Sequence, residues 1–227
     1  MALSLANLAR AQWTVGYEAD GDLLVIIPAT RETGLLANRL FFRLMNLPES
    51  VNVNVIFYEA DFKAFRENEL GYKEDDYKYG SRAYALAKRM ASSKIHTQAL
   101  VESNERNLHS LLREWRGVDN VLFYGLSSSN YKTHFFSIFE ELMRWEDTNV
   151  LGLYVNGNER RGLTCHLVNS REDAIGVVNR PFDDSLQTQL TISTVMFNVL
   201  NKWVSGTSLG SNKLEVDLAT GEINPVS

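Results

Sequence analysis

The sequence has few of the residues that mark several large classes of protein. It contains one cysteine and four prolines, with 44% hydrophobic and 22% charged residues. Cys165 alone cannot form an internal disulfide, and no Asn-x-Ser/Thr acceptor for N-glycosylation is present. The composition excludes collagenous, coiled-coil and disordered chains. We therefore expect a folded protein of a reducing compartment, cytoplasmic or otherwise intracellular.

Long hydrophobic runs and an excess of positive charge are also absent. The strongest apolar run, Leu23–Ile27, ends far short of the length that a membrane-spanning helix needs. Met1–Trp13 is too interrupted for a signal peptide and predicts a short amphipathic helix. With 23 Lys+Arg against 28 Asp+Glu, the net charge of −5 lacks the bulk positive charge that holds nucleic acid. We expect no membrane span, and the bulk charge gives no strong signal for a nucleic-acid partner, which leaves open a local basic patch.

The hydrophobic patterning predicts one α/β core. Near-continuous apolar segments predict four buried strands, at Leu23–Pro28, Val51–Tyr58, Val121–Tyr124 and Val150–Val155. Apolar residues at helical spacing predict helices over Leu35–Met45, Ser81–Trp115 and Phe135–Trp145, the second interrupted at Ser92-Ser93. Strands of this kind that alternate with helices imply a largely parallel sheet covered on both faces. The predicted fold is α/β and doubly wound, either flavodoxin-like or Rossmann-like.

Further elements are predicted on both sides of this core. Asp20-Gly21 indicates an N-terminal hairpin that pairs Thr14–Tyr17 with Leu23–Pro28. The C-terminal predictions are a hairpin into Leu163–Val168, a strand at Ile175–Val178, a helix at Thr191–Val204 and a terminal hairpin over Lys213–Asn224. The predicted organisation is an N-terminal segment with the first hairpin strand at 1–22, the core domain at 23–180, and a helix and hairpin tail at 181–227.

Polar residues that follow the first two strands are candidates for ligand binding, because ligands of open α/β sheets bind beyond the carboxyl ends of the strands. Thr30, Arg31 and Gly34 offer backbone N–H groups at a helix start and a guanidinium, which together suit a phosphate. The alternative is a threonine N-cap with surface charges. Glu59 and Asp61 can bind a ribose hydroxyl or a metal ion. No Gly-x-Gly-x-x-Gly follows the first strand, so the usual dinucleotide fingerprint is missing.

A hydroxyl-rich loop after the third predicted strand is the next candidate. It contains Ser127, Ser128 and Asn130, and it opens the helix that carries Glu140 and Glu141. A plain turn and cap, followed by glutamates on the solvated face of an amphipathic helix, is the alternative interpretation. The histidines and the cysteine lack metal-ligand spacing, so we expect no metal site. A Gly-x-Ser-x-Gly elbow is absent, and the sequence gives no support to a Ser–His–acid hydrolase.

The same helix carries a family resemblance. Ser128-Ser129-Asn130-Tyr131, Phe136-Ser137 and Glu140 resemble the pattern Ser-x-Asn-Tyr, Trp-Cys and Glu-Leu of the Toll/interleukin-1 receptor (TIR) domain family. The resemblance includes the order of elements over residues 23–155. Phe136 stands where the family has tryptophan, and Glu141 where it has leucine.

This resemblance implies a nucleotide-binding domain that cleaves the nicotinamide–ribose bond of NAD. Departure of neutral nicotinamide leaves an oxocarbenium-like ribose, which a buried carboxylate can stabilise. The resemblance gives that role to Glu140, with Glu141 beside it and with Arg31 and Ser128 as ligand contacts. NAD would be a substrate, and no cofactor is expected. The hypothesis predicts a pocket bounded by residues 30–34, 59–61 and 127–131, with Glu140 or Glu141 pointing into it.

A non-enzymatic role is the alternative. The amphipathic N-terminal stretch, the tyrosine-rich segment Tyr72–Tyr79 and the terminal hairpin suit a structural or assembly subunit, for example of a viral particle, or an interaction adaptor. Such a protein would form homo-oligomers or bind a protein partner. Fold alone does not separate these classes.

Overall fold

The structure is a computed structural model built around one sheet with helices on both faces. It describes residues 19–31, 33–60, 65, 69, 71–101, 104–125, 129–157, 163–178, 186–205, 207, 213–217, 220 and 222–226. The strands are β1 (Gly21–Pro28), β2 (Val51–Tyr58), β3 (Ile95–Leu100), β4 (Asn120–Gly125), β5 (Asn149–Gly157), β6 (Leu163–Val168), β7 (Lys213–Val216) and β8 (Ile223–Pro225). The helices are α1 (Thr33–Met45), α2 (Arg82–Met90), α3 (Glu105–Arg113), α4 (Ser129–Leu142), α5 (Arg171–Val178) and α6 (Leu186–Val204), and a 3-10 helix spans Glu74–Tyr79.

The strand order confirms the predicted doubly wound, largely parallel sheet. The strands lie in the order β3-β2-β1-β4-β5-β6-β7-β8. Strands β1 to β5 pair in parallel, whereas β6, β7 and β8 join in antiparallel fashion. The chain leaves β1 toward one side of the sheet and leaves β4 toward the other, so right-handed crossovers place their helices on opposite faces. Accordingly α1 packs with α2 and α6, while α4 packs with α3 and α5. None of the described helices is long and apolar enough to cross a membrane.

Close packing fixes the position of α4 against β4. The rings of Phe123, Phe135 and Phe139 stack between the sheet and the helix, with centroids of the first two 4.8 Å apart. A Cβ atom on Gly125, the last residue of β4, would lie 1.9 Å from the Phe135 ring. Because Gly125 has no side chain, the start of α4 lies directly against the end of β4.

Two predicted segments differ in part from the structure. The prediction over Ser81–Trp115 is confirmed for two helices, α2 and α3, with a break near Ser92-Ser93, but β3, with the mixed sequence Ile-His-Thr-Gln-Ala-Leu, lies between them. β3 lies at the edge of the sheet, where polar side chains are tolerated, so the apolar run that identifies a buried strand is missing. The strand predicted at Ile175–Val178 is the second half of α5. Ser170 caps this helix by accepting a hydrogen bond from Asp173 N at 3.2 Å.

The predicted N-terminal hairpin does not fit the environment of β1. Over Leu23–Ile26, β1 pairs in parallel with β2 on one edge and with β4 on the other, so neither edge of this stretch is free for an antiparallel partner. The other predicted strand, Thr14–Tyr17, lies outside the described residues. At the C-terminal end, the helix and the hairpin are confirmed as α6 and β7–β8, and both strands continue the same sheet as the core.

Cys165 is expected to report on unfolding. Its side chain is fully buried in β6, and burial raises the pKa of the thiol to about 12. A protonated, inaccessible thiol does not react at neutral pH. We expect iodoacetamide to leave the native protein unmodified and to alkylate it once guanidinium chloride has unfolded it. Equal alkylation rates in the two states, measured by mass spectrometry, would contradict this placement.

Candidate functional site

The fold brings the ends of β1, β2 and β4 to one edge of the sheet. β1 lies between β2 and β4, and the connections that leave β1 and β4 run in opposite directions. This reversal is the topological switch point of an open α/β sheet, where a crevice forms beyond the carboxyl ends of the strands. The described residues 29–31 and 33–34, after β1, lie on one side of this switch point, and the start of α4, after β4, lies on the other.

A compact threonine turn shapes the first side of the crevice. Thr33 Oγ1 donates to the carbonyl of Pro28 at 2.8 Å and accepts from Thr30 N at 3.0 Å. The two threonine hydroxyls lie 2.8 Å apart. In this turn the hydroxyl of Thr33, the first residue of α1, bonds back to the end of β1, which fixes the direction in which the helix leaves the strand. Arg31, at its tip, is exposed.

The protein's own backbone covers the first turn of α1. A Cβ atom on Gly34 would lie 2.7 Å from the Tyr72 ring, and one on Gly71 would lie 2.3 Å from Leu35 N. Tyr72 Oη also donates to the carbonyl of Thr30 at 2.7 Å. Gly34 thus permits close contact with the segment at residues 71–72. The sequence predicts that Gly34 leaves room for a phosphate. In this structure Gly71 and Tyr72 occupy that space.

Glu59 lies inside a buried ion-pair cluster. Its side chain is 1% exposed, and its two oxygens accept from Arg82 Nη1 and Ser81 Oγ, each at 2.9 Å. Glu69 accepts from the same guanidinium, from Nε at 2.7 Å and from Nη2 at 2.6 Å. Burial alone would lower the pKa of Arg82, but hydrogen bonds to Glu69 and Glu59 raise it above its ordinary value. In this arrangement Glu59 anchors α2, and a ribose contact would require the cluster to open.

The cluster holds the segment that covers α1. The Phe65 ring centroid lies 5.3 Å from Arg82 Cζ, which adds a cation–π contact. Arg89 forms a second ion pair, from Nη1 to Asp76 Oδ2 at 2.7 Å. The same Nη1 donates to the carbonyl oxygen of Gly71 at 2.8 Å. Sequence reasoning missed Glu69 and Arg82, since nothing in the local spacing separates them from surface charges. Asp61, the other predicted acid, lies outside the described residues.

Tyr131 ties the start of α4 to the ends of β1 and β2. Its hydroxyl donates to the carbonyl of Ala29 at 3.2 Å and accepts from Ala60 N at 3.3 Å. Its ring packs against Tyr58, whose fully buried hydroxyl has a raised pKa because burial disfavours the phenolate. Three other residues are predicted on this side. Ser127 and Ser128 lie outside the described residues, and so does the side chain of Asn130.

Glu140 and Glu141 lie at the opposite end of α4. From Ser129 to Glu140 the helix rises about 16 Å, so both glutamates are near the amino edge of the sheet. Glu140 is 34% exposed and pairs with Arg171 at 3.2 Å. The structure therefore does not bring either glutamate to residues 30–31 or 59–60, and the predicted pocket is not formed among the described residues.

Glu141 is buried although the residue before it is not. It is 1% exposed and accepts from Arg116 at 3.0 Å, with Arg113 at 3.7 Å and Arg144 at 3.5 Å. Burial alone would raise the pKa of Glu141, but the hydrogen bond from Arg116 and the charge of Arg113 hold it below its ordinary value. Glu141 is therefore an ionised, buried carboxylate, whereas Glu140 fits the interpretation of a solvated face.

The fold of this chain is similar to that of several solved structures. No protein-family model matches the sequence, and no curated protein matches it either. Similar structures include E. coli MccB with succinimide (TM-score 0.53, 11% identity), with AMPCPP and MccA (0.52, 12%) and with MccA (0.54, 12%). The match with the AMPCPP and MccA structure covers 90% of this chain and 63% of MccB, so the chain spans less than two thirds of that protein's length. At this identity the likeness shows the α/β fold.

Proposed function

We propose that the protein binds a nucleotide in the crevice between the ends of β1 and β4. The strand order carries this proposal, because the reversal of direction at β1 and β4 opens the sheet at the place where α/β proteins bind nucleotides. An AMPCPP-containing structure of MccB has a similar fold, which supports the choice of ligand class.

Arg31 is the residue we assign to the phosphate. It is exposed at the tip of the threonine turn, and a guanidinium binds phosphate through paired, charge-assisted hydrogen bonds. Gly71 and Tyr72 cover the first turn of α1, so the phosphate would approach from the side of Arg31 and β4. Tyr131 closes the floor of the crevice by bridging Ala29 and Ala60.

Cleavage of NAD is the finer form of this proposal, and it depends on the TIR resemblance. The position of Glu140 at the far end of α4 gives it no support, since the carboxylate would have to lie beside the ribose. A direct test is nicotinamide release from NAD by the wild type and by Glu140→Gln. Equal release by both proteins, or release by neither, would exclude Glu140 as the catalytic carboxylate.

Calorimetric titration with ATP, ADP, AMP and NAD tests nucleotide binding. We expect at least one of them to bind, and we expect Arg31→Ala to weaken it about tenfold or more, the effect of losing a hydrogen bond from a charged group. Arg171→Ala is the matched control, because Arg171 is an exposed arginine paired with Glu140 at the opposite edge.

Two outcomes would overturn the proposal. The first is that none of the four nucleotides binds, which would favour the assembly or adaptor alternative. The second is that Arg31→Ala and Arg171→Ala weaken binding equally. Arg31 would then contribute no more to nucleotide binding than an arginine at the opposite edge of the sheet. Thermal unfolding of each variant shows whether a loss of binding reflects a loss of folded protein.

A further inference from the structure

We propose that Ser137, His109 and Glu141 form a nucleophile, base and acid set that hydrolyses carboxylic esters on the outer side of the α3–α4 pair. This site is separate from the nucleotide crevice, since Glu141 lies near the amino edge of the sheet. No sequence motif points to it, because its members come from two helices and no nucleophile elbow is present.

The three side chains are arranged in the order that nucleophilic catalysis requires. His109 Nε2 lies 2.6 Å from Ser137 Oγ. On the other side of the ring, His109 Nδ1 lies 3.9 Å from Glu141 Oε2. Ser137 and Glu141 are one helical turn apart on α4, so both face His109 of α3. A hydroxyl, an imidazole and a carboxylate in this spatial order are the parts of a serine hydrolase triad.

Glu141 selects the productive tautomer of His109. A carboxylate that faces Nδ1 favours the proton on that nitrogen, which leaves Nε2 to accept the hydrogen bond from Ser137. The distance of 3.9 Å is longer than a hydrogen bond, so this effect acts through charge. Such contacts in free enzymes often shorten only when substrate binds.

The site is accessible and positively charged. The side chain of His109 is 27% exposed, whereas that of Glu141 is 1% exposed. Arg113, Arg116 and Arg144 lie within 4 Å of the Glu141 carboxylate, and each is more than half exposed. Three exposed guanidiniums around one carboxylate leave a net positive charge and spare N–H donors for a negatively charged substrate. We therefore assign an ester with an anionic group as the substrate class.

The reaction balances with water as the second reactant. Ser137 Oγ forms a bond to the acyl carbon while its proton passes to His109 Nε2. The ester C–O bond then breaks, and the same proton leaves with the alcohol. Water attacks the acyl-serine, gives its proton to His109, and releases the carboxylic acid as Ser137 recovers the proton.

Labelling of the intact chain with a fluorophosphonate tests for an activated serine. We expect covalent modification at Ser137, mapped by mass spectrometry, and at least a 100-fold slower reaction in His109→Gln, because glutamine keeps a hydrogen bond but is not a general base. Ser193→Ala is the matched control, since Ser193 is also in a helix but its hydroxyl donates to Leu190 O at 2.7 Å. It should leave the labelling unchanged.

Turnover of p-nitrophenyl succinate and p-nitrophenyl acetate tests the substrate class. We expect the wild type to hydrolyse the anionic succinate faster, and we expect Arg116→Gln to lose this preference. Ser137→Ala should abolish turnover while the protein remains folded, because alanine favours a helix more than serine does.

The proposal is overturned if the wild type is not labelled at Ser137, or if His109→Gln is labelled at the same rate. It is also overturned if substitutions at Ser137 and His109 lower the melting temperature while the wild type hydrolyses neither ester, since the contact would then be structural. Nucleotide titration of the same variants keeps the two proposals apart, because loss of the ester activity alone should leave nucleotide binding intact.

Discussion

Arg82→Met is expected to destabilise the protein by about 3–5 kcal/mol, because it removes the cation from a cluster in which two carboxylates are buried. Glu59 and Glu69 are 1% and 3% exposed, and both are bonded to this one guanidinium. Without it, water cannot compensate their charges. Urea unfolding at neutral pH measures the loss.

Two further variants separate this effect from a loss of packing. Combining Arg82→Met with Glu59→Gln and Glu69→Gln should recover much of the stability, because no uncompensated charge then remains. Lys78→Met removes a cation from an exposed pair with Asp75 and should change stability by less than about 1 kcal/mol. A similar small change for Arg82→Met would show that the buried cluster does not hold the fold together.

Gly71→Ala is expected to destabilise the protein strongly, because a side chain at this position would clash with the backbone of α1. Gly71 has a φ of +82°, and its added Cβ would lie 2.3 Å from the backbone nitrogen of Leu35. The substitution therefore adds a backbone clash to the cost of a left-handed conformation, which is about 1–2 kcal/mol by itself. We expect a total loss above about 3 kcal/mol, since neither backbone can move aside without breaking the contact with α1.

Gly80→Ala is the matched control for this prediction. Gly80 has a similar φ of +67°, but an added Cβ would meet nothing within 4 Å. Its substitution should cost only the conformational penalty. Urea unfolding of both variants gives the difference, and equal losses would show that close contact between Gly71 and α1 contributes nothing.

The parallel core of the fold is predictable from the sequence because its strands are buried on both faces. Continuous apolar runs such as Leu23–Ile27 identify such strands without any knowledge of their partners. β3 escapes detection for the opposite reason, since one edge and part of one face are open and its composition is mixed. The turn signal at Asp20-Gly21 predicts an N-terminal hairpin, but a local signal carries no information on which strands flank β1.

The candidate site is less predictable because its contacts are long-range. The position of Thr30 and Arg31 beyond β1 follows from the alternation of strands and helices. The role of Glu59 does not, since its partner Arg82 is 23 residues away and resembles any surface arginine in sequence. The location of Glu140 was within reach of sequence reasoning, because a helix that starts at the carboxyl edge ends at the other edge after about three turns.

The late position of α6 in the chain has a consequence for synthesis on the ribosome. α6 packs against α1, β5 and β6, and its residues Ile192, Val195 and Val199 are fully buried. β5 ends at Gly157 and α6 ends at Val204, an interval that translation covers in about 2–10 s at 5–20 residues per second. During these seconds the nascent chain exposes the apolar surface that α6 later covers, and this surface is where a ribosome-associated chaperone would bind.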